Sequence, residues 1–367
     1  MARADEKNGR RRWGAEQPQE DTARDLSPFH QVQTRIDRGI PDMSPKNRTD
    51  RMATADFIPQ FPSGMSPDEW PRISIVTPSY NKATYLEDTI QSILGQGYPN
   101  LEYLTVDGNS TDESVEIIRR YESELTWWTS ESDDGMYDAL QKGFTRTTGD
   151  IMKWVNADDI LHPGALFTVG ELFHVFPDVE WIQGCPSWVD EAGRFVCSAR
   201  HLRRWSKFDY YLGDYRWIQQ ESTFWRRSLW EKSGGYIDSS LQLAGDLDLW
   251  ARFFRHAPLH VTEAVLGAFR WCREGQLSLT RMDEYVEEAS QTLQRERKRL
   301  TQEERRTLQR LQWTETILDG LSKFRLLNVD GIRRRMRRTL VDLPPVLRFR
   351  IEDQSFVKQP FFPKVQI

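Results

Sequence analysis

The sequence predicts an α/β fold in which a mostly parallel β-sheet is covered by helices on both faces, with further helices at the carboxyl end. Two observations lead to this prediction. Between residues 72 and 184, short apolar or β-branched runs alternate with segments that place their apolar residues on one helical face. After about residue 273 the sequence pattern changes to one that predicts long polar helices, including a highly charged segment over 284–311.

The first predicted unit is a strand, a loop and a helix. Ile73, Ile75 and Val76 form a β-branched run that stops at Pro78, and the helix follows over 85–94. Later units repeat this order, which is typical of a sheet with parallel strands. Their predicted strands are 101–106, 127–129, 151–155 and 181–184, and their helices are 113–121, 137–144 and 163–176.

Three regions are predicted along the 367 residues. Residues 1–71 are rich in polar residues and proline without apolar periodicity, which predicts a disordered or loosely packed tail. The alternative is an extra helical cap that rests on the apolar residues at 57, 58 and 61. Residues 72–280 are predicted to form the α/β domain, and residues 281–367 a helical carboxy-terminal extension.

Composition argues against several classes of function. The formal net charge is -5, from 50 basic and 55 acidic residues, so no large cationic field favours nucleic acid as a partner. Cys185, Cys197 and Cys272 do not form the close pairs that bind zinc or carry redox chemistry, which favours a cytoplasmic setting. The sequence has no apolar run of ~20 residues and no apolar core near its first residue, so neither membrane spanning nor export is expected.

Polar loops follow three of the predicted strands. They are Thr77–Asn81 after the first strand, Asp107–Asp112 after the second, and Asn156–Asp159 after the fourth. Each loop alone is also what ordinary turns and helix caps require. In open α/β sheets, however, ligands bind outside the carboxyl ends of the strands. The three loops together therefore predict one ligand-binding cleft.

Six segments, taken in order, resemble family 2 of the inverting glycosyltransferases, whose fold is called GT-A. The resemblance spans about residues 72–278 and implies transfer of a sugar from a nucleotide diphosphate to an acceptor hydroxyl. Among donors the resemblance favours UDP-linked sugars, and it implies polysaccharide or lipid-linked glycan assembly as the context. The segments are TPSYN, VDGNSTDES, SESDDGMYDAL, WVNADD, QQESTFWRR and AGDLDLW.

The resemblance implies two sets of residues at the nucleotide. Asp107 is expected to read the nucleobase, since a carboxylate suits the imide N–H of uracil. Asp158 and Asp159 are expected to contact the ribose and a divalent cation, Mn²⁺ or Mg²⁺, because these ions prefer hard oxygen ligands. A helix cap is the alternative for this acidic pair. The nucleotide-sugar set is Pro78, Ser79, Tyr80, Asp107, Asp134, Gly135, Asn156 and Asp158.

Two positions depart from the family pattern. Asn156 stands at the first acidic position of the metal motif. Cys272 stands where several family members carry a histidine, so a third metal ligand is not identified. The nearby His260 is interpreted as structural.

The resemblance assigns the catalytic base to Asp246 and leaves Asp248 a structural role, with a helix cap as the alternative for Asp246. A base removes the proton of the acceptor hydroxyl as the anomeric carbon is attacked. Gln220 and Trp225 are assigned to the acceptor side, because an indole suits the apolar face of a sugar ring. Core packing is an equal alternative for Trp225.

Two other functions remain open at this point. One is an inactive GT-A scaffold or a nucleotide-sugar binding protein, which Asn156 and Cys272 leave room for. A nucleotidyltransferase is disfavoured, because the loop after the first strand has no glycine. Residues 332–340 are predicted to form a helix with an apolar stripe flanked by five arginines. This helix suggests peripheral contact with the inner face of a membrane, and packing on the acidic domain is the equal alternative.

Overall fold

The computed structural model describes residues 66–213, 218–272, 281–322 and 329–360. Most of the predicted tail, residues 1–65, lies outside the described residues. Trp70 is buried, with its ring centroid 5.8 Å from that of Tyr98 and 5.3 Å from that of Phe167. The packed part of the chain therefore begins before residue 72, where the sequence suggested a boundary.

The described residues form strands and helices in the order that the sequence predicts for its first half. The strands are β1 (Ile73–Ser79), β2 (Leu101–Asp107), β3 (Trp127–Ser130), β4 (Ile151–Trp154), β5 (Ile160–Leu161), β6 (Trp181–Gln183), β7 (Ser187–Val189), β8 (Phe195–Ser198), β9 (Thr223–Arg226), β10 (His260–Thr262), β11 (Gly267–Arg270), β12 (Val346–Arg350) and β13 (Ser355–Gln359). The helices are α1 (Ala83–Leu94), α2 (Ser114–Arg120), α3 (Met136–Phe144), α4 (Ala165–Val175), α5 (Lys207–Tyr211), α6 (Arg227–Lys232), α7 (Gly245–Phe253), α8 (Met282–Arg299), α9 (Gln302–Ser322) and α10 (Val329–Leu340).

The main sheet has the strand order β13-β12-β10-β6-β9-β4-β1-β2-β3. Pairing is parallel between β4, β1, β2 and β3, and again between β6, β10 and β12. Strand β9 is antiparallel to both of its neighbours, and β13 is antiparallel to β12. One hydrophobic core contains side chains of α1, α2 and α4, and the other contains side chains of α3, α7, α8 and α9. The predicted α/β class, with a mostly parallel sheet and helices on both faces, is confirmed.

A second, smaller sheet has the order β5-β11-β7-β8 and begins directly after the Asn156–Asp159 loop. Its strand β11 passes the 3₁₀ turn Gln220–Ser222 very closely. A Cβ atom at Gly267 would lie 1.9 Å from the carbonyl oxygen of Glu221, so only glycine fits there. This approach brings the carboxyl end of β11 to the predicted metal loop.

The carboxy-terminal region contains long helices together with two strands that the sequence did not predict. The charged segment over 284–311 is divided between helices α8 and α9. The break follows from a new helix start, where the Thr301 hydroxyl accepts the Glu304 N–H (3.2 Å) and the Glu304 carboxylate accepts the Thr301 N–H (2.7 Å). In addition, β12 and β13 extend the main sheet. None of the helices in the described ranges has the length and apolar character to cross a bilayer.

Candidate active site

The loop between β1 and α1 and the loop after β2 are joined by hydrogen bonds. The Asn81 backbone N–H donates to the Ser110 hydroxyl (2.8 Å), and the Asn81 side-chain oxygen accepts the backbone N–H of Thr111 (2.8 Å). Asn81 has φ 51°, a left-handed conformation that asparagine adopts more readily than most residues. Of the predicted nucleotide-binding residues before it, Ser79 is buried and Tyr80 is 61% exposed. The ring of Tyr80 is thus accessible to solvent.

Asp107, at the end of β2, is buried by its own loop. Its carboxylate accepts the backbone N–H of Ser110 (2.9 Å) and the hydroxyls of Ser110 (2.5 Å) and Ser130 (2.7 Å). These bonds hold the ends of β2 and β3 together. Three accepted bonds leave one acceptor site on the carboxylate, but Asp107 is fully buried, so the predicted reading of a nucleobase requires the loop to expose it.

The segment before α3 packs against the β2 loop. A Cβ atom at Gly108 would lie 2.8 Å from Oδ2 of Asp133, so the two segments are in contact. Asp133 also accepts the backbone N–H of Gly135 (2.9 Å), and burial raises the pKa of the Asp133 carboxyl. Asp134 is exposed, and Gly135 has φ 115°, which glycine tolerates and residues with a Cβ rarely adopt. Asp134 and Gly135 therefore lie beside the β2 loop, as a shared nucleotide site requires.

The two predicted metal ligands have different environments. Asp158 is partly exposed, and its Oδ2 lies 2.6 Å from the Lys82 ammonium nitrogen. Asp159 is only 1% exposed. Its Oδ1 accepts the backbone N–H of Arg270 (2.9 Å), and its Oδ2 accepts the Asn156 amide (3.1 Å). The carboxyl group of Asp159 therefore closes the base of the loop, and Asp158 is the more exposed of the two carboxylates.

Beneath the loop, Asp159 belongs to a buried cluster with Glu221 and Lys153. Burial, together with the neighbouring Glu221 carboxylate, raises the pKa of Asp159 well above its usual range. Burial also lowers the pKa of Lys153 to about 7, and its ammonium nitrogen donates to the carbonyl oxygen of Gln220 (2.9 Å). The cluster connects β4, the metal loop and the 3₁₀ turn.

Arg270, in β11, fixes the same loop from the other side. Its guanidinium is buried and donates to the carbonyl oxygens of Asp158 (2.7 Å) and Glu191 (3.0 Å). The sequence motifs do not point to Arg270, although it lies two residues before Cys272. The available signal was a charged residue inside an apolar strand, which must find partners when buried.

Cys272 follows Arg270 and lies near the Tyr85 hydroxyl, Lys82 and Asp158. Burial raises the pKa of its thiol, which keeps the sulfur protonated. His260 has Lys358 and Asp178 as its charged neighbours, and burial lowers its pKa to about 4. Among the described residues, no group of three or more His, Cys, Asp or Glu side chains is arranged to hold a metal ion. A third protein ligand is therefore not found in that part of the chain.

Asp246 is half-buried in the first turn of α7. Burial raises the pKa of its carboxyl group to about 7, and the nearby Glu221 carboxylate acts in the same direction. The position of this turn is fixed by Tyr137, because a Cβ atom at Gly245 would lie 2.7 Å from the Tyr137 ring. The Tyr137 hydroxyl also donates to the carbonyl oxygen of Leu243 (2.9 Å). Since α3 begins beside Gly135, one helix positions both the predicted donor loop and the predicted base.

Trp225 is not available as a sugar platform. Its side chain is fully buried among Phe144, Trp154, Trp250 and Phe253, with ring centroids 5.5–5.9 Å away. The assignment of Trp225 to the acceptor side is therefore wrong. Strand β9 lies between β4 and β6, and this central position buries the side chains of its first three residues.

Within the described ranges, four of the predicted site residues carry a buried polar atom without a hydrogen-bond partner. One is Trp225 Nε1 in the aromatic core, and the other three are Ser79 Oγ, Asn156 Oδ1 and Gln220 Oε1. They belong to the end of β1, the metal loop and the 3₁₀ turn. Buried polar atoms normally have partners, and these three lack one within the protein. Pro78, also buried, is the last residue but one of β1 and has no N–H to donate.

Known proteins resemble parts of this chain in sequence and in fold. Residues 74–179 match the family model described as Glycosyl transferase family 2. An uncharacterized glycosyltransferase of Rickettsia prowazekii is 26% identical over 240 residues, which are 64% of this chain and 74% of that protein. The putative teichuronic acid biosynthesis glycosyltransferase TuaG of Bacillus subtilis is 35% identical over 92 residues, which are 24% of this chain and 36% of TuaG.

Among solved structures, residues 1–349 of S. aureus TarS in complex with UDP-GlcNAc superpose with a TM-score of 0.51. The sequence identity is 16%, and the match covers 61% of this chain and 66% of that one. The fold is therefore that of the GT-A glycosyltransferases. The family match and the relatives named glycosyltransferases support an enzyme of the transferase class. The family match itself covers residues 74–179, less than a third of the chain. The matched segment contains the loops after β1, β2 and β4, and it ends before Gln220 and Asp246.

Proposed function

We propose that the chain is an inverting glycosyltransferase that moves a sugar from a UDP-linked donor to a hydroxyl of a glycan or lipid-linked acceptor. The observation that carries the proposal is that two candidate carboxylates, Asp158 and Asp246, have different surroundings. Asp158 is open at the carboxyl edge of the sheet, whereas Asp246 is half-buried with a pKa of about 7. Glu221 interacts electrostatically with both Asp159 and Asp246, which supports assigning the two functions to one cleft.

In the proposed reaction, Asp246 accepts the proton of the acceptor hydroxyl. The acceptor oxygen forms a bond to the anomeric carbon of the donor, and the bond between that carbon and the β-phosphate oxygen breaks. The nucleoside diphosphate leaves with the bonding electron pair, and a single displacement inverts the anomeric centre. A carboxylate with a pKa near the working pH is well matched to this proton transfer.

The residues around Asp158 fit a divalent cation, Mn²⁺ or Mg²⁺. Such ions are commonly held by one or two carboxylates together with substrate phosphates, so one open carboxylate is sufficient on the protein side. When bound, the cation neutralises the charge that develops on the departing diphosphate. Arg270 and Asp159 keep the Asp158 backbone in place.

The remaining predicted residues would bind the nucleotide sugar. Tyr80 provides an exposed ring, and Ser79 and Asn156 provide unpaired polar atoms. Asp134 and Gly135 lie at the start of α3, from where they would contact the sugar. Gln220 keeps an unpaired oxygen beside Glu221 and stays the one proposed acceptor-side contact.

A cell-surface polysaccharide or lipid-linked glycan pathway is the proposed context. The similarity to TuaG, named for teichuronic acid biosynthesis, supports it over the shared 92 residues. The competing reading is a GT-A scaffold without turnover. Asn156 favours that reading, because it removes one acidic side chain from the metal loop.

A donor panel tests the proposal directly. The purified chain is incubated with UDP-, GDP- and dTDP-sugars with Mn²⁺ or with EDTA, and release of the free nucleotide is followed with the mass of any glycosylated product. We expect release from a UDP-sugar with Mn²⁺ and background release with EDTA. Tight UDP-sugar binding without turnover on any acceptor tried would support the scaffold, and release from GDP-sugars alone would contradict the UDP assignment.

Peripheral membrane contact through residues 332–340 is part of the proposal. On α10, Ile332 and Met336 are partly exposed, and on α9 Trp313 is 74% exposed and Ile317 is 55% exposed. Exposed aromatic and aliphatic side chains near basic ones are typical of helices that lie on an anionic membrane. Arg333 is paired with Glu315 and Asp319 of α9, so it does not add to the basic surface. The side chains of Arg334, Arg337 and Arg338 lie outside the described residues.

Co-sedimentation with vesicles tests this contact. We expect the wild type to pellet with anionic vesicles and not with neutral ones, since each basic residue near an anionic surface adds about 1 kcal/mol. Changing Arg334, Arg335, Arg337 and Arg338 to glutamine should abolish pelleting. The control changes Arg119 and Arg120 of α2, which are exposed in the main domain, and should pellet normally. Equal pelleting of all three proteins, or no pelleting with either kind of vesicle, would refute membrane contact through residues 332–340.

A further inference from the structure

Lys82 occupies a position that the proposed chemistry does not yet explain. It directly precedes α1, and its ammonium nitrogen lies 2.6 Å from Oδ2 of Asp158. Its side chain is 34% exposed and that of Asp158 is 20% exposed. The carboxylate that is proposed to bind a divalent cation therefore already holds a cation from its own chain.

No other side chain of the loop offers an equivalent site. Both oxygens of Asp159 accept hydrogen bonds from Arg270 and Asn156 in the buried base of the loop. Cys272, the nearest alternative, carries a soft sulfur, which Mg²⁺ and Mn²⁺ disfavour relative to oxygen. Lys82 and a divalent cation would therefore compete for the Asp158 carboxylate.

Two positive charges cannot share this carboxylate without repulsion. An ammonium group within hydrogen-bonding distance of Asp158 occupies one of its oxygens and repels an arriving divalent cation. A nucleoside diphosphate changes this balance, because it brings negative charge that attracts both cations. Lysine is a common phosphate partner, and its flexible stem lets the charge move while the backbone stays in place.

We propose that the Lys82 ammonium group occupies the cation position at Asp158 in the donor-free protein. When donor and divalent cation bind, the Lys82 side chain moves, and its ammonium group pairs with the diphosphate instead. This inference rests on the proposed function. It makes the binding of cation and nucleotide interdependent, so that the cation enters with the donor. Lys82 is then a donor-binding residue in the loaded enzyme and an internal counter-ion in the free one.

Binding of Mn²⁺ to the full chain, measured by the loss of the free-ion electron paramagnetic resonance signal, tests the inference without any turnover. In the wild type we expect weak binding without UDP and at least about tenfold tighter binding with UDP, a typical size for coupling between ligands. In Lys82→Met, Mn²⁺ should bind about tenfold tighter than in the wild type without UDP, while UDP itself binds less tightly. Lys82→Arg keeps the charge and should resemble the wild type without UDP.

The matched control is Lys232→Met, which removes a lysine paired with Glu180 (2.9 Å) on α6. It should bind Mn²⁺ and UDP as the wild type does. One outcome refutes the role of Lys82 and leaves the metal site standing. In it, UDP tightens Mn²⁺ binding in the wild type and Asp158→Asn no longer binds Mn²⁺, but Lys82→Met binds Mn²⁺ as the wild type does, with and without UDP. If UDP does not promote Mn²⁺ binding in the wild type, both the inference and the proposed metal site fail.

Discussion

Asp246→Asn is expected to lower kcat by about 10²–10⁴-fold while donor binding stays close to that of the wild type. The substitution keeps the shape of the side chain and removes only its ability to accept a proton. The carboxyl group is half-buried, and its Oδ1 accepts the backbone N–H of Leu247 (2.7 Å), a bond that the asparagine oxygen can also accept. Steady-state kinetics with the donor found in the panel, together with UDP binding by calorimetry, measure the two effects.

The pH dependence provides a second signature of the same residue. A general base acts in its deprotonated form, and the pKa of Asp246 is raised to about 7 by burial. We therefore expect kcat to fall as the pH is lowered through about 7 in the wild type, and this decline to be absent in Asp246→Asn. Because the folded protein binds this proton more tightly than the unfolded chain, the contribution of Asp246 to stability decreases as the pH rises from about 4 to 7. At pH 8 the variant should therefore unfold at the wild-type temperature or above it.

Asp248→Asn is the control within the same helix turn. Asp248 is buried and accepts a hydrogen bond from Arg252 Nε (2.8 Å), so its substitution weakens a buried ion pair. We expect a lower unfolding temperature and a kcat near the wild-type value for the folded protein. The opposite pattern, with Asp248→Asn inactive and Asp246→Asn active, would show that the base was placed two residues too early.

The first half of the fold was predictable because its signals are local. Strands β1, β2 and β4 and helices α1 and α3 show apolar runs and helical periodicity within ten or twelve residues. Strands β12 and β13 gave no such signal within a charged region. Strand β12 belongs to the sheet because it pairs with β10, about 85 residues away in the chain, through Val261 and Val346. Such non-local pairing leaves little trace in a short window of sequence.

The candidate site was predictable as a set of loops and less so as individual side chains. Asp158 and Asp159 are chemically alike in the sequence, and only the approach of Arg270, 111 residues later, makes one of them a buried support. Trp225 is a comparable case, since an exposed and a buried tryptophan look the same until the neighbouring strands are known. The motifs therefore point to a region, whereas burial distinguishes the surroundings of the residues within it.

The second large effect is expected at this acidic pair. Asp158→Asn should reduce metal-dependent transfer by about 10²–10⁴-fold, because a cation that acts as a Lewis acid supplies several kcal/mol of transition-state stabilisation. Asp158 is partly exposed, and the Lys82 partner can turn to solvent, so the unfolding temperature should stay near that of the wild type. Kinetics across a Mn²⁺ titration and thermal unfolding measure both properties.

Asp159→Ala should behave differently, since it removes an acceptor from inside the protein. The backbone N–H of Arg270 and the amide of Asn156 would lose their partner, and an unsatisfied buried polar group costs about 1–3 kcal/mol. We therefore expect a clear drop in unfolding temperature. Activity should fall as well, because less protein is folded and because the metal loop is no longer held in position. If Asp159→Ala unfolds at the wild-type temperature yet no longer binds Mn²⁺ with UDP, while Asp158→Asn keeps metal-dependent transfer, the two aspartates have been assigned in the wrong order.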